Sequence, residues 1–227
     1  RIKGIRRAAF APVIPNGGKG VVLIDCGANV ECTPEYLLQF AYMGSFYSER
    51  ILGCETPRVG LLNNGSEESK GTELCKAAYA LLKEASEAGR LNFIGNVEGG
   101  DLFSGTVDVI VTDGFSGNIL LKSVEATAKF FSHTLKGHIK ESALAMLGAL
   151  LMKAPVFNKL SARMNPDAIG GNPLMGVNGV SIIAHGSANG TAILNAIRMA
   201  EAMCRNNIND RIIAAMEPIS AALKARG

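Results

Sequence analysis

Five short β-type apolar runs in this chain each end in a cluster of Gly, Asn, Asp and Ser, and that repetition leaves few folds open. Val21–Ile24 runs into Asp25-Cys26-Gly27-Ala28-Asn29, and Val59–Leu62 into Asn63-Asn64-Gly65-Ser66-Glu67. Residues 92–94 lead to Gly95-Asn96-Val97-Glu98-Gly99, and residues 107–111 to Thr112-Asp113-Gly114-Phe115-Ser116-Gly117-Asn118. The fifth run, 180–184, meets His185-Gly186-Ser187-Ala188-Asn189-Gly190. Most of these clusters open a helical pattern, so the chain reads as a mostly parallel α/β sheet whose polar turns gather at the carboxyl edge of the strands, where ligands bind. Turns this rich in Gly let backbone N–H groups approach an anion. The expected site is therefore one of backbone amides and small polar groups, suited to phosphate.

Composition narrows the class. The chain has 227 residues, 48% of them apolar, with few aromatics, which suits one large α/β unit or two small ones. A net charge of +3 with no basic tract interleaved with aromatics gives no nucleic-acid signature. There is no signal-peptide pattern and no apolar stretch of about 20 residues, so no span is expected. Cys26, Cys32, Cys54, Cys75 and Cys204 lack C-x-x-C spacing, which reads as reduced cytosolic usage without a disulfide framework or zinc site.

Along the chain, residues 8–14 read as a strand hairpinned onto Val21–Ile24. Thr33 with Pro34 starts a helix to about Leu52. Residues 71–88 are helical, with Leu74, Ala77, Ala78, Leu81 and Leu82 on one face. From 119 to 139, Leu120, Val124, Ala128, Phe131 and Leu135 recur at helical spacing, with Glu125 and Lys129 as an i,i+4 pair and Asn118 as a candidate N-cap. The apolar run Ala143–Met152 ends at Lys153 and Pro155. Its basic neighbours Lys136, Lys140, Lys153, Lys159 and Arg163 leave two readings: a buried or dimer-contact helix, and an amphipathic hairpin over 140–163 on an anionic membrane surface. Residues 165–176 read as a long loop. A final long helix, 191–204, turns Ile193, Ala196, Ile197 and Ala200 inward, and residues 206–227 read as peripheral.

The chemistry is defined partly by what the chain lacks. There is no G-x-G-x-x-G after a strand, and in Lys70-Gly71-Thr72 the order departs from a Walker A loop. No G-x-S-x-G elbow is present. His133 and His138 are five apart on a helix and face different ways, so no metal site is expected. The segment 180–190 is the sharpest signal. A strand delivers His185, Gly186 and Ser187 to a helix start, whose free N–H groups carry roughly half a positive charge and suit phosphate. The bland reading is that Ser187 or Asn189 merely caps the helix. Asp113, Gly114, Gly117 and Asn118 form a similar strand-to-helix turn, as do Gly27 with Asn29, Asn63 with Gly65, and Asn96.

At these residues the chain resembles the PlsX-type phosphate acyltransferases, the fatty acid/phospholipid synthesis proteins of bacteria. The matching stretches are VVLIDCGANVECTPEYLLQFAYMGS (21–45), RVGLLNNGSEESKGTEL (58–74), LNFIGNVEG (91–99), DVIVTDGFSGNILLK (108–122) and GGNPLMGVNGVSIIAHGSANGTAILNAIRMA (170–200). The resemblance implies a single three-layer α/β unit over 1–227, like isopropylmalate dehydrogenases and phosphotransacetylases, in a homodimer. It also implies a further family segment ahead of Arg1, so that sheet and site are expected to be parts of larger ones. The implied reaction is transfer of a fatty acyl group from acyl carrier protein to inorganic phosphate, without cofactor or metal, giving acyl phosphate for phospholipid synthesis. Catalytic roles then fall to His185, Asn118 and Asp113. Phosphate or substrate contacts fall to Gly27, Asn29, Asn63, Gly65, Asn96, Gly114, Gly117, Asn178, Gly186 and Ser187. Arg6, Arg7, Lys136, Lys140, Lys153 and Arg163 are candidates to face the acidic carrier protein. The expected location is cytoplasmic, peripheral to the inner membrane face. A coenzyme A-dependent phosphate acetyl- or butyryltransferase and a non-catalytic membrane-associated binding protein are the rival readings.

Overall fold

The computed structural model describes residues 1–160, 170–186 and 188–224. Its centre is a five-stranded sheet ordered β2-β3-β6-β4-β5: β2 (Val13–Ile14), β3 (Val21–Ile24), β4 (Val59–Leu62), β5 (Phe93–Val97) and β6 (Val109–Val111). β3, β6, β4 and β5 run parallel, and β2 is the antiparallel edge partner of β3. The result is a three-layer α/β fold with a mostly parallel sheet. Strand alternation sorts the two faces. Val22, Ile24, Val109, Val111, Leu61 and Val59 enter one core, while Val21, Leu23, Ile110 and Val97 enter the other.

Helices α1 (Pro34–Arg50) and α2 (Glu73–Glu87) cover the first face. α1 buries Leu37, Phe40, Ala41, Met43 and Tyr47. Gly44 brings it close to the sheet: a Cβ there would lie 2.6 Å from Val109 Cγ1 and 3.2 Å from Ile24 Cγ2. Thr33 takes the N-cap position with Pro34 behind it, but its side chain makes no capping bond. Thr72 does cap α2, accepting from Cys75 N. The other face is covered by α3 (Gly114–Lys140) and a 3-10 turn (Gly99–Phe103), through Leu121, Leu102 and the half-buried Leu120 and Val124.

Several expectations need correction. Residues 8–14 are not one strand. They split into β1 (Ala9–Phe10) and β2, because Pro12 cannot donate to a ladder and the chain changes sheets there. β1 joins a separate antiparallel sheet, β1-β7-β8, with β7 (Asn172–Met175) and β8 (Ile182–Ile183). The segment read as a loop thus holds a strand, and the fifth apolar run lies outside the parallel sheet. β5 continues through Gly95-Asn96-Val97, so Asn96 stands within a strand. α3 starts at Gly114 with Asp113, not Asn118, as N-cap. Glu125 pairs with Lys122, about one turn before it, at 3.0 Å, and not with Lys129.

The carboxyl-terminal third differs most. α5 (Gly190–Arg205) buries Ala192 and Met203, whereas of the expected inner face Ile193 and Ile197 are exposed and Ala196 and Ala200 are half-buried. α6 (Ile208–Lys224) is not peripheral: Ile208, Ile212, Met216 and Ile219 recur every three or four residues and are buried in the main core, and α6 packs on α1. Asn207, at φ 49°, makes the turn between them in the left-handed region Asn tolerates.

Beyond Val124, α3 leaves the body. Its 27 residues reach about 40 Å at about 1.5 Å per residue, and Phe130 and Phe131 are exposed. α4 (Ala143–Met152) packs back against it, capped by Ser142, whose Oγ accepts from Ala145 N at 3.3 Å. Pro155 does not end this helix. A π turn (Lys153–Phe157) absorbs the missing N–H, and Asn158 N donates to Lys153 O. Ala143–Leu160 is therefore one 18-residue apolar helical run, with none of it buried. The rest of the expected hairpin, 161–163 with Arg163, lies outside the described residues.

Candidate active site

β3 and β6 deliver their tips side by side, and two carboxylates organise them. Asp25 is fully buried at the end of β3. Its Oδ1 accepts from Phe10 N at 2.9 Å and Ala28 N at 3.2 Å, and its Oδ2 accepts from Asn29 N at 2.7 Å and Asn29 Nδ2 at 2.9 Å. Asn29 Nδ2 also donates to Ala8 O at 2.7 Å. The loop is tied to α3 through Gly114 N, which donates to Asn29 O at 2.8 Å. A Cβ on Gly114 would lie 2.5 Å from Asn29 O, and one on Gly117 would lie 2.0 Å from Asp25 O. These two glycines are there because the first turn of α3 rests directly on the backbone of the β3 loop.

The first-turn amides of α3 are consequently spent. Gly114 N goes to Asn29 O, Phe115 N and Ser116 N go to Asp113 Oδ1 at 2.9 and 2.8 Å, and Gly117 N goes to Asp113 O. Ser116 Oγ donates to Asp113 Oδ2 at 2.9 Å. The protein's own carboxylate fills the anion slot that this helix start offers. Ala28 N and Asn29 N are likewise held by Asp25. The side chain of Asn118 faces Gly27, 3.7 Å from where a Cβ would stand, and makes no hydrogen bond among the described residues. Cys32 sits beneath these loops. Burial, opposed by the Gly114 N–H and reinforced by Asp25 and Asp113, pushes its thiol up to about 11, so it stays protonated and unreactive near neutral pH.

The tips of β4 and β5 meet beside this pair, and their asparagines stitch a loop. Asn63 Nδ2 donates to Lys70 O at 3.1 Å, and its Oδ1 accepts from Asn64 N at 2.9 Å. Asn96 Nδ2 donates to Glu67 O at 2.8 Å, while its buried Oδ1 has no partner among the described residues. Gly65 is buried in the same loop, which carries the exposed Glu67, Glu68 and Lys70.

His185 and Gly186 stand elsewhere. β7 pairs with β1 through Ala9↔Met175, and with β8 through Asn172↔Ile183. Asn178 lies in the β7–β8 turn, at the end of the small sheet where Gly176 O accepts from Ile2 N. His185 leaves the opposite end, so the structure does not bring Asn178 and His185 together. Nor does it place His185 on the carboxyl edge that carries Asp113 and Asn118. Ser187 lies outside the described residues. Asn189 caps α5, its Oδ1 accepting from Ala192 N at 3.0 Å. The amides of Gly190 and Thr191 have no acceptor among the described residues. The start of α5 therefore keeps donors that α3 has spent. Asp25 was within reach of sequence reasoning as an Asp at a strand end followed by Gly and Asn. The contrast between spent and open helix starts was not, since it depends on where Asp113 folds back.

Of the basic residues, Arg6 pairs with Glu35 at 3.1 Å, and Arg7 lies 5.8 Å from the centre of the Tyr36 ring. Lys136, Lys140 and Lys153 are exposed on the α3–α4 hairpin.

A family model described as fatty acid synthesis protein matches residues 1–211. A protein of Syntrophotalea carbinolica named phosphate acyltransferase is 49% identical over 214 residues, which is 94% of this chain and 60% of that one. Relatives of the same name from Pelotomaculum thermopropionicum and Clostridium acetobutylicum are 48% and 45% identical, over 96% and 97% of this chain and 63% and 65% of theirs. The chain thus spans about three fifths of the length of these curated relatives. Among solved structures, the EutD phosphotransacetylase from Staphylococcus aureus aligns at 20% identity and a TM-score of 0.46, over 56% of this chain and 44% of that one. With the family model running through almost its whole length, this chain belongs to the fatty acid synthesis protein family.

Proposed function

We propose that the protein transfers a fatty acyl group from acyl carrier protein to inorganic phosphate. The observation that carries this reading is the likeness to proteins named phosphate acyltransferase, at 45–49% identity over more than nine tenths of the chain. A phosphate oxygen attacks the thioester carbonyl, the tetrahedral oxyanion collapses, and the C–S bond breaks. The products are acyl phosphate and the carrier thiol. Phosphate is itself the nucleophile, so no covalent enzyme residue is needed. The thiol leaves readily because its pKa is about 8.5. What remains for the protein is positioning and oxyanion stabilisation.

The start of α5 is the better seat for phosphate. Gly190 N and Thr191 N have no acceptor there among the described residues, and His185 and Gly186 stand a few residues before them. The β3 and β6 tips carry two carboxylates and spent amides, which disfavour a second anion. The exposed α3–α4 hairpin, apolar and flanked by Lys136, Lys140, Lys153 and Lys159, supports peripheral binding to the anionic inner membrane face. The same surface supports pairing with a second copy in a homodimer, and the lysines suit an acidic carrier protein.

The test is incubation of acyl carrier protein and coenzyme A thioesters with phosphate, with acyl phosphate trapped by hydroxylamine. Trapped product from the carrier thioester is expected, reduced about a hundredfold in His185→Ala with an unchanged melting temperature. Product from the coenzyme A thioester alone would favour the rival transferase. No product from either would favour a non-catalytic binding role.

A further inference from the structure

An open cleft of about 430 Å³ lies at the amino edge of the parallel sheet, between the β2–β3 turn, the end of α1 and the middle of α5. Val13, Ile51, Leu52 and Met199 line it together with the exposed Lys19 and Arg198. The ring of the fully buried Tyr47 closes the floor, with its hydroxyl 3.5 Å from Met199 Sδ. No acidic residue is among the described residues that line it.

Size and charge narrow the occupant. An apolar cavity of about 150 Å³ is enough to bind benzene, and small-molecule sites occupy about 300–1,000 Å³. A mostly apolar lining that also carries two exposed cations suits an alkyl chain that ends in an anionic group. Both cations keep donors in hand. Lys19 Nζ donates to Gly53 O, and Arg198 Nη1 donates to Asn195 Oδ1 at 3.4 Å, which leaves two and four N–H donors respectively. The position also fits. Gly190 and Asn195 are five residues apart on α5, about 7.5 Å at about 1.5 Å per residue, so one helix carries both the open amides and the cavity wall.

We propose that this cavity holds the alkyl chain of the fatty acyl substrate, with Lys19 and Arg198 meeting an anionic group. The inference rests on the acyl-transfer reading for the identity of the ligand, and on the cavity itself for the existence of the site.

Isothermal titration of the purified protein with dodecyl phosphate tests it without turnover. Saturable binding is expected, weaker for butyl phosphate and lost by at least about tenfold in Met199→Trp, which fills the space. The chain has no tryptophan, so that single indole also reports whether the variant is folded. Arg198→Glu, on an exposed side chain, should weaken binding and leave the melting temperature unchanged. Leu147→Glu should bind as the wild type does, which separates the cavity from the apolar hairpin. Binding that is insensitive to both Met199→Trp and Arg198→Glu, or no saturable binding by the wild type, overturns the proposal. If dodecyl phosphate binds in this pattern while no acyl phosphate is trapped, the cavity stands and the transferase reading falls. Trapped product with no dependence of rate or binding on Met199→Trp gives the converse.

Discussion

Gly117 shows how much of the site is decided by single atoms. A methyl group there would lie 2.0 Å from Asp25 O and 2.7 Å from Thr112 Cγ2. Alanine is the better helix former by about 1 kcal/mol, yet the clash falls on backbone and cannot be relieved by a rotamer. Gly117→Ala is expected to lose about 1–3 kcal/mol net, measured by urea denaturation. A second residue-scale test concerns Arg58 and Asp108. Arg58 Nε and N both donate to Asp108 Oδ2 at 2.8 Å, and Nη2 donates to Oδ1 at 3.0 Å. Burial works against the Asp108 carboxylate, but these bonds from Arg58 hold its pKa below the usual 3.8. A depressed folded-state pKa contributes stability that is complete above the unfolded value and is lost as pH falls through the folded one. Asp108→Asn should therefore cost about 1–2 kcal/mol near neutral pH, and the two proteins should converge in stability below the native carboxyl's pKa. A difference that persists unchanged in strong acid would contradict the assignment.

Among the elements, the helices divide by what their apolar stripes meet. The stripes of α1 and α2 find the sheet. That of α3 does so only up to Val124, and α4 buries nothing. Periodicity in the sequence marks a stripe without saying what covers it. The order of apolar residues over Ala143–Met152 was enough to place α4, while its exposure could not be read. The same gap explains α5. Ile193 and Ile197 look like the inner face, but α5 buries Ala192 and Met203 instead, and Gly170 lies so near it that a Cβ there would stand 2.4 Å from Ala196 N. The burial of α6 is not legible in the sequence because Ile208, Ile212, Met216 and Ile219 follow a polar turn, where no strand pattern announces a core. The element-scale prediction concerns the hairpin. Leu147 is 56% exposed, so Leu147→Glu should keep the melting temperature within about 2 °C, since exposed substitutions cost under about 0.5 kcal/mol. Its sedimentation with anionic vesicles should fall sharply. Wild-type sedimentation by the variant would remove the hairpin from membrane binding.

For the molecule as a whole, the strand-then-polar-turn grammar correctly announced a three-layer α/β fold, because buried parallel strands and Gly-rich turns leave local marks. It did not announce that Ile182–Ile183 belongs to a second, antiparallel sheet. That choice is made by the hairpin pairing of Asn172 with Ile183 and by the long-range pairing of Ala9 with Met175, the second of which no local pattern encodes. The candidate site divides for the same reason: Asn29, Gly114, Gly117 and Asn118 lie together around Asp25, while His185 and Gly186 follow β8 of the second sheet. Spent amides on one side and open amides on the other then favour α5 as the anion seat. An amide-resolved NMR titration with inorganic phosphate tests that choice directly. Saturable shifts are expected at Gly186, Gly190 and Thr191, with Ala28, Asn29, Phe115 and Ser116 unmoved. Shifts confined to those last four, with the start of α5 silent, would contradict it.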